Sequence, residues 1–314
     1  MKIPNHVTIF SYYWILERTY VDQIMNSKGR KNNVLRLVSI SALAALFLGA
    51  LLWFHPPDPP TVRTAVLVND DVTYHLHQPD RTAALSKELD EASGLAYVTP
   101  NTLAMVNDEE GEIYLWDTQT DKIIEEIDFG KDGDYEGLAI DGTTAYVLRS
   151  DGDVYQVTSY RQNPATTKYE NPLSDDNDTE GLWYDTPSNS LLIACKATGQ
   201  TKSFPDAEST LVYQYALESP DTLVPWLTLD GPRVHPSGIA RHPRTHCYYV
   251  LASADRQLLV FSPERTLLQR TDLPKKLFPQ PEGICFTPDG TLYIANERRK
   301  NTATLLQFNP ILHP

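Results

Sequence analysis

The chain has 314 residues, 41% of them hydrophobic and 22% charged, the composition of a globular protein. Its 27 Lys and Arg stand against 41 Asp and Glu, a net charge of −14; residues 1–36 hold six bases and two acids, leaving about −18 on the rest. Such a surface repels a polyanion, which excludes nucleic acid as a partner and disfavours docking onto anionic lipid.

Residues 1–33 read as a cytoplasmic N-terminal segment, aromatic-rich at first, with Met25 opening the charged run MNSKGRKNN as an alternative start. Residues 34–54 follow as VLRLVSISALAALFLGALLWF. The stretch Leu37 to Phe54 carries no charge and as a helix would rise about 27 Å, near the hydrocarbon thickness of a bilayer. Lys28, Arg30, Lys31 and Arg36 flank it, and the proline-rich His55 to Pro60 ends it. The positive-inside rule then keeps the N-terminus in the cytoplasm and puts the C-terminal domain outside, in the periplasm of a cell with an inner membrane. The run ends in Leu-Trp-Phe-His-Pro, without the small residues of a cleavage site and without a following cysteine. An uncleaved single-pass signal anchor is therefore expected. Residues 55–71 read as a proline-rich linker.

From residue 72 onward the chain repeats. Ser93-Gly-Leu-Ala-Tyr97, Glu136-Gly-Leu-Ala-Ile140, Glu180-Gly-Leu-Trp-Tyr184, Ser237-Gly-Ile-Ala-Arg241 and Glu282-Gly-Ile-Cys-Phe286 place glycines 43, 44, 57 and 45 residues apart. A turn and a second β-rich run follow each phrase: Leu103–Val106, Ala145–Leu148, Leu191–Ala194, Tyr248–Leu251 and Leu292–Ala295. A third run comes next (Ile113–Trp116, Val154–Val157, Leu211–Tyr215, Leu258–Phe261, Leu305–Phe308), and a fourth closes most units, as at Lys122–Phe129 and Leu267–Leu273. Four short strands every ~44 residues predict an all-β propeller of about five four-stranded blades over residues 72–314, with a sixth, divergent blade as the alternative. The last unit lacks a strand, which the stretch Val72 to Leu85 could supply. The spacing of 57 predicts an insertion near Gly199 to Glu208.

In such a blade the start of the first strand and the end of the second lie on one face. Glu136, Glu180 and Glu282 occupy the first place. Asn107, Asp108, Arg149, Lys196, Asn296 and Glu297 occupy the second. Together they form a candidate ligand-binding rim around the channel, which would take a small polar ligand or a protein partner. Three like charges at one mouth need a cation, a proton or a basic side chain. Ca²⁺ held by Glu136, Glu180 and Glu282 is one answer. A network with Arg149 and Lys196 is another. A structural role, each Glu accepting backbone N–H groups of the next blade, is the third.

No nucleophile elbow, zincin motif, phosphate loop or dinucleotide fingerprint is present. Cys195, Cys247 and Cys285 lie in apolar runs and read as buried hydrophobes, with one bridge as the alternative in an oxidising compartment. His242 and His246 flank a turn and read as loop residues. Asp175 to Asp178 resembles an oxygen-rich calcium loop but lacks its glycine and closing glutamate, so a solvated turn is expected.

Glu91 to Ala96 with Ala104 to Glu109, Tyr135 to Ala139, Thr179 to Leu182, His235 to Ile239, and Pro281 to Phe286 with Ile294 to Glu297 resemble the SdiA-regulated family of bacterial β-propellers over about residues 86–310. An N-terminal anchor or signal is similar to that family too. The resemblance implies a membrane-anchored, extracytoplasmic propeller but little biochemistry. Two functions follow as expectations: a ligand-, ion- or protein-binding module, and, as the alternative, a calcium-dependent hydrolase of the phytase-like or lactonase-like kind.

Overall fold

The computed structural model describes residues 65–68 and 72–313, except 220. The segments 1–33 and 34–54, read above as cytoplasmic leader and membrane anchor, lie outside the described residues. Among the described residues no helix is long and apolar enough to cross a membrane. The compact unit spans Val62–Pro314.

Three strands precede the first repeat: β1 (Ala65–Val68), β2 (Val72–His75) and β3 (Arg81–Ala84). The first blade is β4 (Ala92–Thr99), β5 (Thr102–Asn107), β6 (Glu112–Asp117) and β7 (Lys122–Asp128). The second is β8 (Tyr135–Asp141), β9 (Thr144–Arg149), β10 (Val154–Thr158) and β11 (Ala165–Tyr169). The third is β12 (Thr179–Asp185), β13 (Ser190–Cys195), β14 (Thr210–Tyr215) and β15 (Leu223–Thr228). The fourth is β16 (Gly238–Arg241), β17 (Tyr248–Ala252), β18 (Gln257–Phe261) and β19 (Leu267–Asp272). The fifth is β20 (Pro281–Phe286), β21 (Leu292–Asn296), β22 (Thr304–Phe308) and, as its outer strand, β3. The pairing of β3 with β22, Thr304 opposite Ala84 and Leu306 opposite Thr82, joins the two ends of the domain as the incomplete last repeat required. The irregular residues between β13 and β14 account for the long spacing.

The burial pattern explains the order of strands. In the second strands β5, β13, β17 and β21 every residue is buried. The outer strands β7 and β11 are largely exposed. Five apolar clusters fill the spaces between neighbouring blades. Met105, Trp116 and Leu305 lie between the first and fifth, for example, and Leu148, Ile193 and Tyr213 between the second and third.

The phrase glycines close the ring. A Cβ on Gly94 would come 2.7 Å from the backbone nitrogen of Leu138, one on Gly137 2.8 Å from Leu182 Cβ, and one on Gly181 3.1 Å from Gly238 Cα. A Cβ on Gly238 would come 2.6 Å from the Glu282 carbonyl, and one on Gly283 2.7 Å from Leu95 Cβ. Each inner strand thus abuts the next at a point with no room for a side chain, and the fifth abuts the first. The number of blades is five, without a sixth.

One sheet lies outside the blades. β1 pairs with β2, and β2 with β23 (Ile311–Leu312). A strand therefore begins at Ala65, inside the segment read above as linker. Tyr74 of β2 is fully buried among Tyr249, Phe286 and Phe308 between the fourth and fifth blades. His242 lies in the loop after β16, as its sequence context predicted, yet it is fully buried here. Its Nδ1 accepts from the N–H groups of Arg244 (3.3 Å) and Thr245 (3.1 Å), which assigns the hydrogen to Nε2. That nitrogen donates to the Tyr74 hydroxyl at 2.8 Å, and Tyr74 donates to the Gly290 carbonyl at 2.5 Å. Burial, with Arg244 and His246, lowers the His242 pKa to about 4, so the ring stays neutral and structural.

Cys195, Cys247 and Cys285 are buried and none forms a disulfide. Asp175 to Asp178 forms a turn held by Asn177, whose Oδ1 accepts from Ser174 N–H at 3.0 Å and whose Nδ2 donates to the carbonyls of Thr198 (3.0 Å) and Gln200 (2.8 Å).

Candidate ligand site at the channel mouth

Three consecutive residues from each inner strand line a small central cavity of about 10 Å³: Ser93–Leu95, Glu136–Leu138, Glu180–Leu182, Ser237–Ile239 and Glu282–Ile284. Register sets what faces the mouth. Ala92 lies opposite Asn107, Tyr135 opposite Arg149, Thr179 opposite Cys195 and Pro281 opposite Asn296, so the second strands end beside the first strands' beginnings.

The two serines at the Glu position stitch blades together: Ser93 Oγ donates to the Tyr135 carbonyl at 2.6 Å and Ser237 Oγ to the Pro281 carbonyl at 3.0 Å. The glutamates do not act this way. Among the described residues, no backbone N–H donates to Glu136, Glu180 or Glu282. Glu180 is 3% exposed; its Oε1 accepts from Lys196 Nζ, and its Oε2 is buried without a hydrogen bond. Glu282 is 9% exposed and its Oε2 is likewise without a partner.

Burial raises all three carboxyls. Glu136 rises to about 10, through burial and then the charges of Glu180, Asp134, Glu282 and Asp108. Glu180 rises only to about 7, because Lys196 opposes burial. Glu282 is raised well above its ordinary value by burial, Glu180 and Glu297, against Lys196. An acid proton on Glu282 is placed to be donated to the Glu180 carboxylate, which lowers Glu180 slightly. Burial disfavours the charge on Lys196, but Glu180 outweighs it and the ammonium stays protonated. Lys196 also lies 3.7 Å from Asp178.

The remaining rim residues separate into two groups. Asp108 joins the acidic mouth: its Oδ1 is buried without a partner, and burial with Glu91, Glu297 and Glu109 raises it to about 7. Glu297 is raised by burial and accepts from Gln280. Arg149 is instead turned to its own loop, where Asp151 takes Nε at 3.0 Å and Asp153 takes a terminal nitrogen at 2.5 Å. Asn107 is spent locally: its Nδ2 donates to the Glu88 carbonyl at 2.9 Å and its Oδ1 accepts from Glu110 N–H at 2.8 Å. Asn296 donates to the Leu277 carbonyl at 3.2 Å and to Thr304 Oγ1 at 3.1 Å, while its buried Oδ1 has no partner. The sequence reading did not place Glu91, Asp134 and Asp178 at the rim; each directly precedes an inner strand and adds to the acidity. That constant offset from the phrase was the available signal.

Among the described residues, no three His, Cys, Asp or Glu side chains converge closely enough to share a metal ion.

No family model matches the sequence. No curated protein matches it either. Solved structures do match. Glutaminyl cyclase from Myxococcus xanthus is 15% identical, over 76% of this chain and 97% of that one, with a TM-score of 0.56. A streptogramin B lyase is 12% identical over 73% and 97%, with a TM-score of 0.42. Virginiamycin B lyase from Staphylococcus aureus is 13% identical over 74% of each chain, also at 0.42. At 15% identity the likeness to the glutaminyl cyclase is one of fold, and the sheet pairing and the glycine contacts agree with it: the chain is a five-bladed β-propeller.

Proposed function

We propose that the protein is a binding module of the SdiA-regulated type, held in the inner membrane by residues 34–54 with its propeller on the extracytoplasmic side. Its channel mouth takes a positively charged ligand or the cationic group of a partner protein. One observation carries this reading: Glu180 and Glu282 each bury a carboxylate oxygen without a hydrogen bond, and both line the same cavity. Buried carboxyl oxygens left unmatched are costly, and a bound cation supplies the missing donors.

A calcium-dependent hydrolase is the alternative. Calcium takes about six to eight oxygen ligands, and among the described residues no three His, Cys, Asp or Glu side chains are grouped to share one, which weighs against it. The test is calorimetric titration of the Val62–Pro314 unit with ammonium, calcium and spermidine salts, in wild type and Glu282→Gln. A saturable heat, weakened about tenfold or more in the variant, is expected. If no cation gives one, the reading fails. Tight binding of calcium alone would favour the hydrolase, to be followed by assays on phosphate esters, lactones and N-terminal glutamine, the last after the reaction for which the Myxococcus xanthus protein is named.

A further inference from the structure

We propose that the mouth is shaped for a single primary ammonium group, which it takes up in exchange for a proton. This rests on the reading of the mouth as a cation site and names the cation and its coupling.

The chemistry of the unmatched atoms selects the ligand. Glu180 Oε2 is an acceptor, and the Glu282 carboxyl becomes a pure acceptor once its acid proton leaves, so the ionised pair lacks donors alone. An ammonium group has three N–H donors and no acceptor. Size narrows the choice further. The cavity of about 10 Å³ holds one water-sized group. A primary ammonium head fits that space with its carbon directed outward; a guanidinium or a quaternary ammonium does not. Calcium would need oxygens that these side chains do not bring together. The protein also places one ammonium here already: Lys196, reaching from the end of β13, sits on Glu180 Oε1, 36% exposed, and leaves Oε2 unserved.

The charges around the mouth set the coupling. Asp134 and Glu136 face it from β8 and its approach, Asp178 and Glu180 from β12 and its approach, and Glu282 from β20. Asp108 and Glu297 follow β5 and β21, with Glu91 and Glu109 acting on Asp108. Lys196 opposes Glu180 and Glu282, and Arg299, Lys196 and Arg298 oppose Glu297. At the phrase position the first and fourth blades contribute the uncharged Ser93 and Ser237. These few bases cannot balance this many carboxylates, so part of the set is neutral acid at pH 7, with Glu136 raised to about 10. A second ammonium stabilises a carboxylate beside it. A carboxylic acid of the mouth then gives its proton to buffer, its carboxylate pairs with the ammonium, and no other bond changes. Glu282, buried and close to Glu180, is the acid best placed to do so.

The experiment titrates methylammonium chloride into the full chain in detergent at pH 7, in phosphate and in HEPES, with sodium chloride holding ionic strength constant. These buffers differ in ionisation enthalpy, so the difference in heat counts protons. Release of about one proton per ammonium bound is expected, with affinity falling about tenfold or more between pH 7.5 and 5.5. Tetramethylammonium and guanidinium should give no saturable heat. Equal heats in the two buffers would overturn the proton exchange and leave the cation site standing. Tetramethylammonium binding as well as methylammonium would overturn the size argument. No saturable heat with any cation would remove the cation site and this inference together.

Discussion

Glu136, Glu180 and Glu282 share one repeat position and one chemistry, yet their neighbours give them different charge states. Glu180 has Lys196, which holds it to about 7 against burial; Glu136 has only acids around it and rises to about 10. The unfolded chain carries each near 4.5, so between that value and the folded one the native state binds more protons. Stability therefore falls as pH rises from about 4.5, through about 7 for Glu180 and through about 10 for Glu136. Glu136→Gln keeps that position neutral at every pH. Its melting temperature should match wild type at pH 5 and exceed it at pH 9 by about 10 °C or more, from ~1.4 kcal/mol per pH unit across the window and ~2–4 °C per kcal/mol for a domain of this size. Melting curves across that range decide it, and parallel curves for the two proteins would mean that Glu136 is ionised throughout.

A strand's value to the fold depends on which blade edge it occupies. Inner strands meet at the phrase glycines, and Gly137 has Leu182 Cβ at 2.8 Å and the Glu180 carbonyl at 3.0 Å from where a methyl would sit. Gly137→Ala should cost about 1–3 kcal/mol by overpacking. Gly130→Ala, whose added methyl meets nothing closer than the Tyr135 hydroxyl at 3.8 Å, should stay within about 0.5 kcal/mol of wild type. Urea denaturation of both variants measures the difference; equal stabilities would show that the inner strands part easily. The inner and second strands were readable because glycine and continuous apolar runs mark them. β11 was harder: it is almost wholly exposed, so no alternation betrays it. The sheet of β1, β2 and β23 left no sequence mark, because its strands pair across nearly the whole domain and β23 is two residues long.

At the scale of the whole molecule, charge and address go together. The bases of residues 1–36 precede the apolar run, and the acidic remainder forms the propeller. Deleting residues 34–54 should move the protein from the carbonate-washed membrane pellet to the soluble fraction, read by immunoblot. Equal partition with and without them would end the anchor reading. The repeat by itself determined the propeller, the strand order within a blade and the ring of phrase positions at one mouth, because each is a local pattern of glycine, turn and apolar run. Only the tertiary structure decided the count of five, since that depends on Gly283 meeting Leu95 and on β3 pairing with β22. It alone decided which base serves the mouth: Lys196 reaches Glu180, while Asp151 and Asp153 claim Arg149. It also decided that His242 belongs to the core, because its partner Tyr74 lies 168 residues away in the chain. Sequence spacing carries short-range geometry, but burial and charge at a shared axis depend on five separate segments arriving together.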